Sequence, residues 1–165
     1  MVHSFLYVLI MQLAYVPNQI LSAYLMDRYG RKKFFVWNLF LAMAATLAFG
    51  YALGHTLTPV HVVMLGTIVS FFVSGVWGIT YMYTPELYPT AIRVTGTSWA
   101  TTLSRVGSML APLIVGFSLN SLGIRGVFTV IASAFALAGI IVAILGIETK
   151  GLALERISAT RIQAL

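Results

Sequence analysis

Two stretches of this chain, residues 1–26 and 34–85, contain no Asp, Glu, Lys or Arg. Between them lie Asp27-Arg28-Tyr29-Gly30-Arg31-Lys32-Lys33, which hold five of the chain's fourteen charges, ten basic and four acidic. Uncharged runs of that length cannot present polar surface to water on all sides. A dense basic cluster pinned between them marks a loop on the cytoplasmic side of a bilayer, and its glycine predicts a tight turn. Soluble domains carry about 25% charged residues; this chain carries 8%, with 59% hydrophobic residues and a mean hydropathy of +0.94. The net charge of +6 would suggest nucleic acid in a soluble protein, but here the cations sit in short loops beside apolar spans, where they orient the chain. Cysteine is absent, which removes disulfides, thiol nucleophiles and thiolate metal sites.

A spanning helix needs about 20 mostly apolar residues. That length predicts five transmembrane helices, at about 4–26, 34–54, 60–83, 95–119 and 126–146, followed by a polar tail at 148–165. Pro17 is expected to kink the first. Gly54 to Thr58 reads as a loop, with Pro59 placed to open the third helix. Pro85 ends that helix, and Asn120-Ser121-Leu122-Gly123 breaks the fourth from the fifth. Arg28, Arg31, Lys32, Lys33, Arg93, Lys150, Arg156 and Arg161 then all fall on one side, against Arg125, His55 and His61 near the other. The positive-inside rule places the Asp27–Lys33 loop, the Glu86–Arg93 loop and the tail in the cytoplasm, and the N-terminus outside. An outside start with no signal-peptide pattern, together with an odd helix count, points to further sequence upstream.

Three loop sequences resemble one family. Asp27-Arg28-Tyr29-Gly30-Arg31-Lys32 is similar to the D-R-x-G-R-R/K signature of major facilitator superfamily transporters, with Ala23 where the family usually has glycine. Thr84-Pro85-Glu86-Leu87-Tyr88-Pro89-Thr90-Ala91-Ile92-Arg93 resembles the family's P-E-x-x-P-T-x-x-R loop. Glu148-Thr149-Lys150-Gly151 with Leu154-Glu155 resembles its P-E-T-K-G-x-x-L-E ending, with Ile147 replacing the proline. The last two are typical of the sugar, organic-ion and aromatic-acid branches. The resemblance implies an all-α integral membrane fold whose five helices correspond to helices 8 to 12 of a twelve-helix transporter. It also implies a partial C-terminal six-helix bundle, with the N-terminal half of the transporter as its absent partner, in the cell membrane. It implies as well that Asp27, Arg28, Gly30, Arg31, Glu86, Arg93 and Glu148 belong to cytoplasmic clusters that latch the outward-facing state. The alternative for the basic residues is that they set topology and touch anionic headgroups, most plainly for Lys32 and Lys33.

Polar residues inside spans are costly in lipid and face the bundle interior or a cavity. Gln12, Tyr15, Gln19 and Ser22 recur at helical spacing in the first span, Ser70, Ser74, Trp77 and Tyr81 in the third, and Ser98, Thr102, Arg105 and Pro112 in the fourth. The second and fifth carry only scattered Asn38, Thr46, Thr129 and Ser133. Each stripe can line a pathway or simply hold helices together. Gln12, Tyr15, Gln19, Trp77, Tyr81 and Arg105 are the substrate-pathway candidates, because large amphipathic side chains bind ligands by stacking and hydrogen bonding. Arg105 lies about 15 Å into its helix, a depth at which a charge is a functional candidate. It can bind an organic anion, pair with a carboxylate elsewhere, or snorkel to the interface. Pro112 is expected to kink the same helix.

No Asp or Glu lies deep in a span, so a proton-carrying carboxylate is not among these residues. No H-E-x-x-H metal pattern occurs, and no histidine lies deep in a span, His61 being at the outer boundary of the third, to activate Ser74 as a protease nucleophile. The expected function is therefore transport and not catalysis, with no cofactor, no metal and no nucleic-acid partner. The reading is secondary transport of a small organic solute, an organic or aromatic acid, by alternating access, through a chain that does not transport alone. A non-transporting membrane protein is the rival from another class, and a sugar or organic-cation transporter the rival within the same one.

Overall fold

The computed structural model describes residues 2–13, 15–53 and 58–150. Among them the chain is helical, with no strand. The order is α1 (Val2–Leu13), α2 (Tyr15–Tyr29), α3 (Arg31–Ala52), α4 (Pro59–Glu86), a 3₁₀ turn at Thr90–Ile92, and α5 (Arg93–Leu145). Three helical stretches, Arg31–Ala52, Pro59–Glu86 and Thr90–Leu145, are long and apolar enough to cross a membrane. Pro59 occupies the first turn of α4, where its missing N–H costs nothing.

Several boundaries differ from the sequence expectation, each for a local reason. The Asp27–Lys33 loop shrinks to one residue. Helix α2 runs through Tyr29, α3 starts at Arg31, and only Gly30 lies outside a helix, at φ 99° and ψ 147°. That conformation is open essentially to glycine alone. Gly30 still donates its N–H to Met26 O at 3.1 Å and accepts from Phe34 N at 3.1 Å, so both helix ends are satisfied at the turn itself. Helix α4 passes through Pro85 to Glu86: the proline removes one hydrogen bond in the last turn without stopping the helix. Pro17 lies in the first turn of α2, a position that tolerates it. The expected break at 120–123 contracts to Gly123, at φ 69° and ψ −171°. The backbone at Pro112 stays helical. The loop from Gly54 to Leu57, including His55, and the tail from Gly151 onward fall outside the described residues.

Gly123 turns α5 into a hairpin. Its outgoing arm starts beside the end of α4, where Tyr88 packs over Gly96. After Gly123 the return arm meets the far end of α3: the rings of Phe49 and Phe128 lie edge to face at 5.2 Å, and Gly50 sits under the Phe128 Cβ. Further along, Gly139 packs on Phe40. The arm finishes where Ile147 O accepts from the Tyr83 hydroxyl at 2.7 Å. The ends of α2, α4 and α5 therefore meet at one pole of the molecule. Beneath that pole Met26, Phe35, Leu39, Ile79 and Tyr83 form the buried apolar core, with Phe35 and Tyr83 edge to face at 5.8 Å. The return arm packs closely along α3, whereas the outgoing arm leaves Trp99, Leu103, Met109, Leu113 and Phe117 exposed.

Candidate functional site

Charges from three separate segments meet at the common pole. Arg31, in the first turn of α3, forms an ion pair with Glu86 through Nη1 and approaches Asp27 Oδ1 at 3.9 Å through Nη2. Glu86 accepts a second hydrogen bond on Oε2, from Thr149 Oγ1 at 2.7 Å. Glu148 Oε1 accepts from the backbone N–H of Arg31 at 2.7 Å and of Lys150 at 3.3 Å. A carboxylate at this position also complements the positive end of the α3 dipole. Lys150 Nζ donates to Arg28 O at 2.5 Å. Gly30 is required here twice over. Its φ is positive, and a Cβ at this position would stand 2.7 Å from the Glu148 carboxylate. The cluster therefore ties the end of α5 to the α2–α3 turn and to the end of α4.

Of the residues expected in such clusters, the fold brings together Asp27, Arg28 (through its carbonyl), Gly30, Arg31, Glu86 and Glu148. Arg93 does not join them. Its Nη2 donates to Thr90 Oγ1 at 3.2 Å, and its Nε is buried without a hydrogen-bond partner among the described residues. The 3₁₀ turn at Thr90–Ile92 lies between Arg93 and Glu86 in the chain, and Glu86 pairs with Arg31. Thr149 stands in the Glu148–Gly151 motif without a signal of its own. A threonine carries no charge signal, and only its 3% exposure reveals its role.

Between α4 and the outgoing arm of α5 lies a cleft of about 280 Å³, whose lining includes Trp77, Tyr81, Thr101, Ser104, Arg105 and Ser108. Trp77 and Tyr81, one helical turn apart, stack with ring centroids at 5.8 Å and planes at 27°. The hydroxyls on the facing arm are satisfied by their own helix: Thr101 on Thr97 O at 2.8 Å, Ser104 on Thr101 O at 2.7 Å and Ser108 on Ser104 O at 3.0 Å. Arg105 therefore contributes the one charged group among the cleft's described lining residues. An aromatic wall facing a guanidinium suits a flat solute that bears a negative group.

Three expected pathway residues, Trp77, Tyr81 and Arg105, thus share one cleft. Gln19 is a near neighbour: it donates to Ser74 O at 3.2 Å and lies against Gly78, where a Cβ would meet its Oε1. Gln12 and Tyr15 are not among the lining residues. The stripe expected along α4 divides. Ser74 turns fully inward, away from the exposed Trp77 and Tyr81. There it donates to Phe71 O at 2.8 Å and accepts from Asn18 Nδ2 at 2.9 Å, while Ser22 Oγ donates to Asn18 Oδ1 at 3.1 Å. Asn18 also donates to Phe71 O. Asn18 carries no charge or motif signal in the sequence, although its spacing from Ser22 is the helical one. Asn38, which read as scattered, is 4% exposed.

The Major Facilitator Superfamily profile matches residues 4–161. The chain belongs to the major facilitator superfamily. It is therefore an integral membrane protein from a family of transporters rather than enzymes. The niacin transporter NiaP of Acinetobacter baylyi is 38% identical over 157 residues, covering 94% of this chain and 35% of that protein. A Bacillus subtilis (strain 168) protein that carries the same NiaP name is 36% identical over 156 residues, covering 94% of this chain and 38% of its own length. The synaptic vesicle 2-related protein of Rattus norvegicus is 31% identical over 142 residues, covering 86% of this chain and 25% of that protein. The chain thus spans little more than a third of the NiaP relatives it matches.

Proposed function

We propose that this major facilitator chain is part of the C-terminal bundle of a secondary transporter that moves a small aromatic carboxylate of the nicotinate type across the plasma membrane. Arg105 facing the stacked Trp77–Tyr81 pair is the observation that carries this reading. Arg105 lies about 18 Å along α5 from its start at Arg93, a depth in a membrane helix at which a guanidinium is a candidate to bind an anionic solute. The neighbouring rings suit a planar solute, and the niacin transporter relative supports the same chemical class.

In this reading α1–α2 makes one crossing, α3 and α4 one each, and the α5 hairpin two, corresponding to helices 8 to 12 of a twelve-helix transporter. The pole holding Arg31, Glu86 and Glu148 faces the cytoplasm, as the positive-inside rule requires, and the α1 end begins outside. The other bundle completes the solute site across the cleft. Alternating access is then a rocking of the two bundles about a midplane site. The pole cluster holds the ends of α2, α4 and α5 together in one state and loosens in the other.

The test is uptake of labelled nicotinate by cells expressing the full transporter that contains this chain. Arg105→Gln should reduce uptake at least about tenfold, the scale of one lost charge-assisted hydrogen bond, with membrane abundance unchanged. Nicotinate uptake that survives this substitution excludes Arg105 as the anion-binding group. Uptake of a sugar or an organic cation in preference to nicotinate excludes the substrate class.

A further inference from the structure

A second cleft, of about 530 Å³, opens between α2, α3 and α4 and shares no lining residue with the cleft at Arg105. Its walls are apolar, formed chiefly by Leu21, Leu25, Phe34, Leu41, Phe71 and Phe72, and Trp37 stands on its rim with 71% of its surface exposed. At one end Tyr29 and Lys33 complete the lining, and at the floor lie the carboxamides of Asn18 and Asn38. The Asn38 Oδ1 is buried with no hydrogen-bond partner among the described residues, and α4 closes on this floor at Gly75, where a Cβ would stand 2.5 Å from the Asn38 amide nitrogen.

We propose that this cleft holds one acyl chain of an anionic phospholipid whose headgroup phosphate sits on Lys33. An apolar cleft left open between membrane helices is filled by a lipid tail or by a further helix, and the cation at the end of this one favours the lipid, whose headgroup it can hold. Lys33 is the one cation among the cleft's described lining residues. Arg31 is engaged by Glu86 and Asp27, and Lys150 reaches back to Arg28 O, whereas Lys33 makes no ion pair with a described residue. From Lys33 to Leu41 the wall runs about 12 Å along the helix, long enough for much of one acyl chain. Trp37 and Tyr29 are amphipathic rings of the kind that sit at the membrane boundary. The site rests on the membrane placement of the family and is independent of the solute assignment.

The experiment is native mass spectrometry of the intact transporter released from nanodiscs of mixed phosphatidylglycerol and phosphatidylcholine. The wild type should retain phosphatidylglycerol about five-fold over phosphatidylcholine, the preference one lysine at a membrane surface supplies. Lys33→Gln should remove that preference, and Lys33→Arg should keep it. Leu25→Trp, which fills the cleft and leaves the lysine in place, should reduce the retained lipid of both classes. Equal retention of the two lipids by the wild type overturns the proposal, as does unchanged retention in both Lys33→Gln and Leu25→Trp. Loss in Lys33→Gln alone would mean that headgroups bind the basic surface with no chain in the cleft, which also overturns it. Melting temperatures of the variants, matched to wild type, separate lost binding from lost folding.

Discussion

Gly30 carries two constraints on a single α-carbon. Its backbone at φ 99° and ψ 147° is essentially restricted to glycine, and the Glu148 carboxylate occupies the place a Cβ would take. Gly30→Ala should therefore cost about 1–3 kcal/mol from the backbone alone, plus the loss of the Glu148 bond to Arg31 N. Thermal unfolding in detergent should register this as a clear fall in melting temperature, and an unchanged value would refute the double constraint. The same position shows how local residue signals can be read. Asp27, Gly30 and Arg31 stand out in the sequence because charge and glycine are rare there. Thr149 and Asn18, which complete hydrogen-bond clusters, look like ordinary polar residues until the fold brings Glu86 and Ser74 to them.

At the scale of elements, the register of the return arm of α5 on α3 is fixed by close approach. Gly50 has the Phe128 Cβ only 2.3 Å from where its own Cβ would stand, and small residues at such crossings let helices pack tightly in membranes. Gly50→Ala should push the arm outward and destabilise the protein by about 1–3 kcal/mol, the usual cost of overpacking. Because the clash is with Cβ, Phe128→Ala should fail to rescue it and Phe128→Gly should relieve it. Rescue by Phe128→Ala would show that the ring, not the backbone approach, sets the spacing. Element boundaries were less legible than element existence. Pro85 and the 120–123 segment read as breaks. In the structure the helix passes through Pro85, because a proline one residue from a helix end removes a single bond, and only Gly123 leaves helical geometry.

For the molecule as a whole, the two arms of α5 behave differently. The return arm is packed on α3, while the outgoing arm exposes Trp99, Leu103, Met109, Leu113 and Phe117 and offers Arg105 to an open cleft. In the proposed alternating-access reading, a cleft formed by one bundle has no partner to rock against. The isolated chain in vesicles should therefore take up nicotinate no faster than empty vesicles, whereas the full transporter should. Uptake by the isolated chain would refute the requirement for a second bundle.

The membrane solvent, the helical class and the family's loop motifs were determined by the sequence itself, because charge exclusion and glycine or proline turns are local properties of the chain. Which charges pair was decided only by tertiary structure. Arg31 and Glu86 lie 55 positions apart, and nothing in their spacing favours that pair over Glu86 with the nearer Arg93. The common pole of α2, α4 and α5 makes the difference: it delivers Arg31 to Glu86, while Arg93 donates to Thr90. The convergence of Trp77, Tyr81 and Arg105, and the burial of Asn18 and Asn38, have the same origin. A helix stripe limits which residues can face together, but the packing of its neighbours decides whether they meet a cleft or another helix.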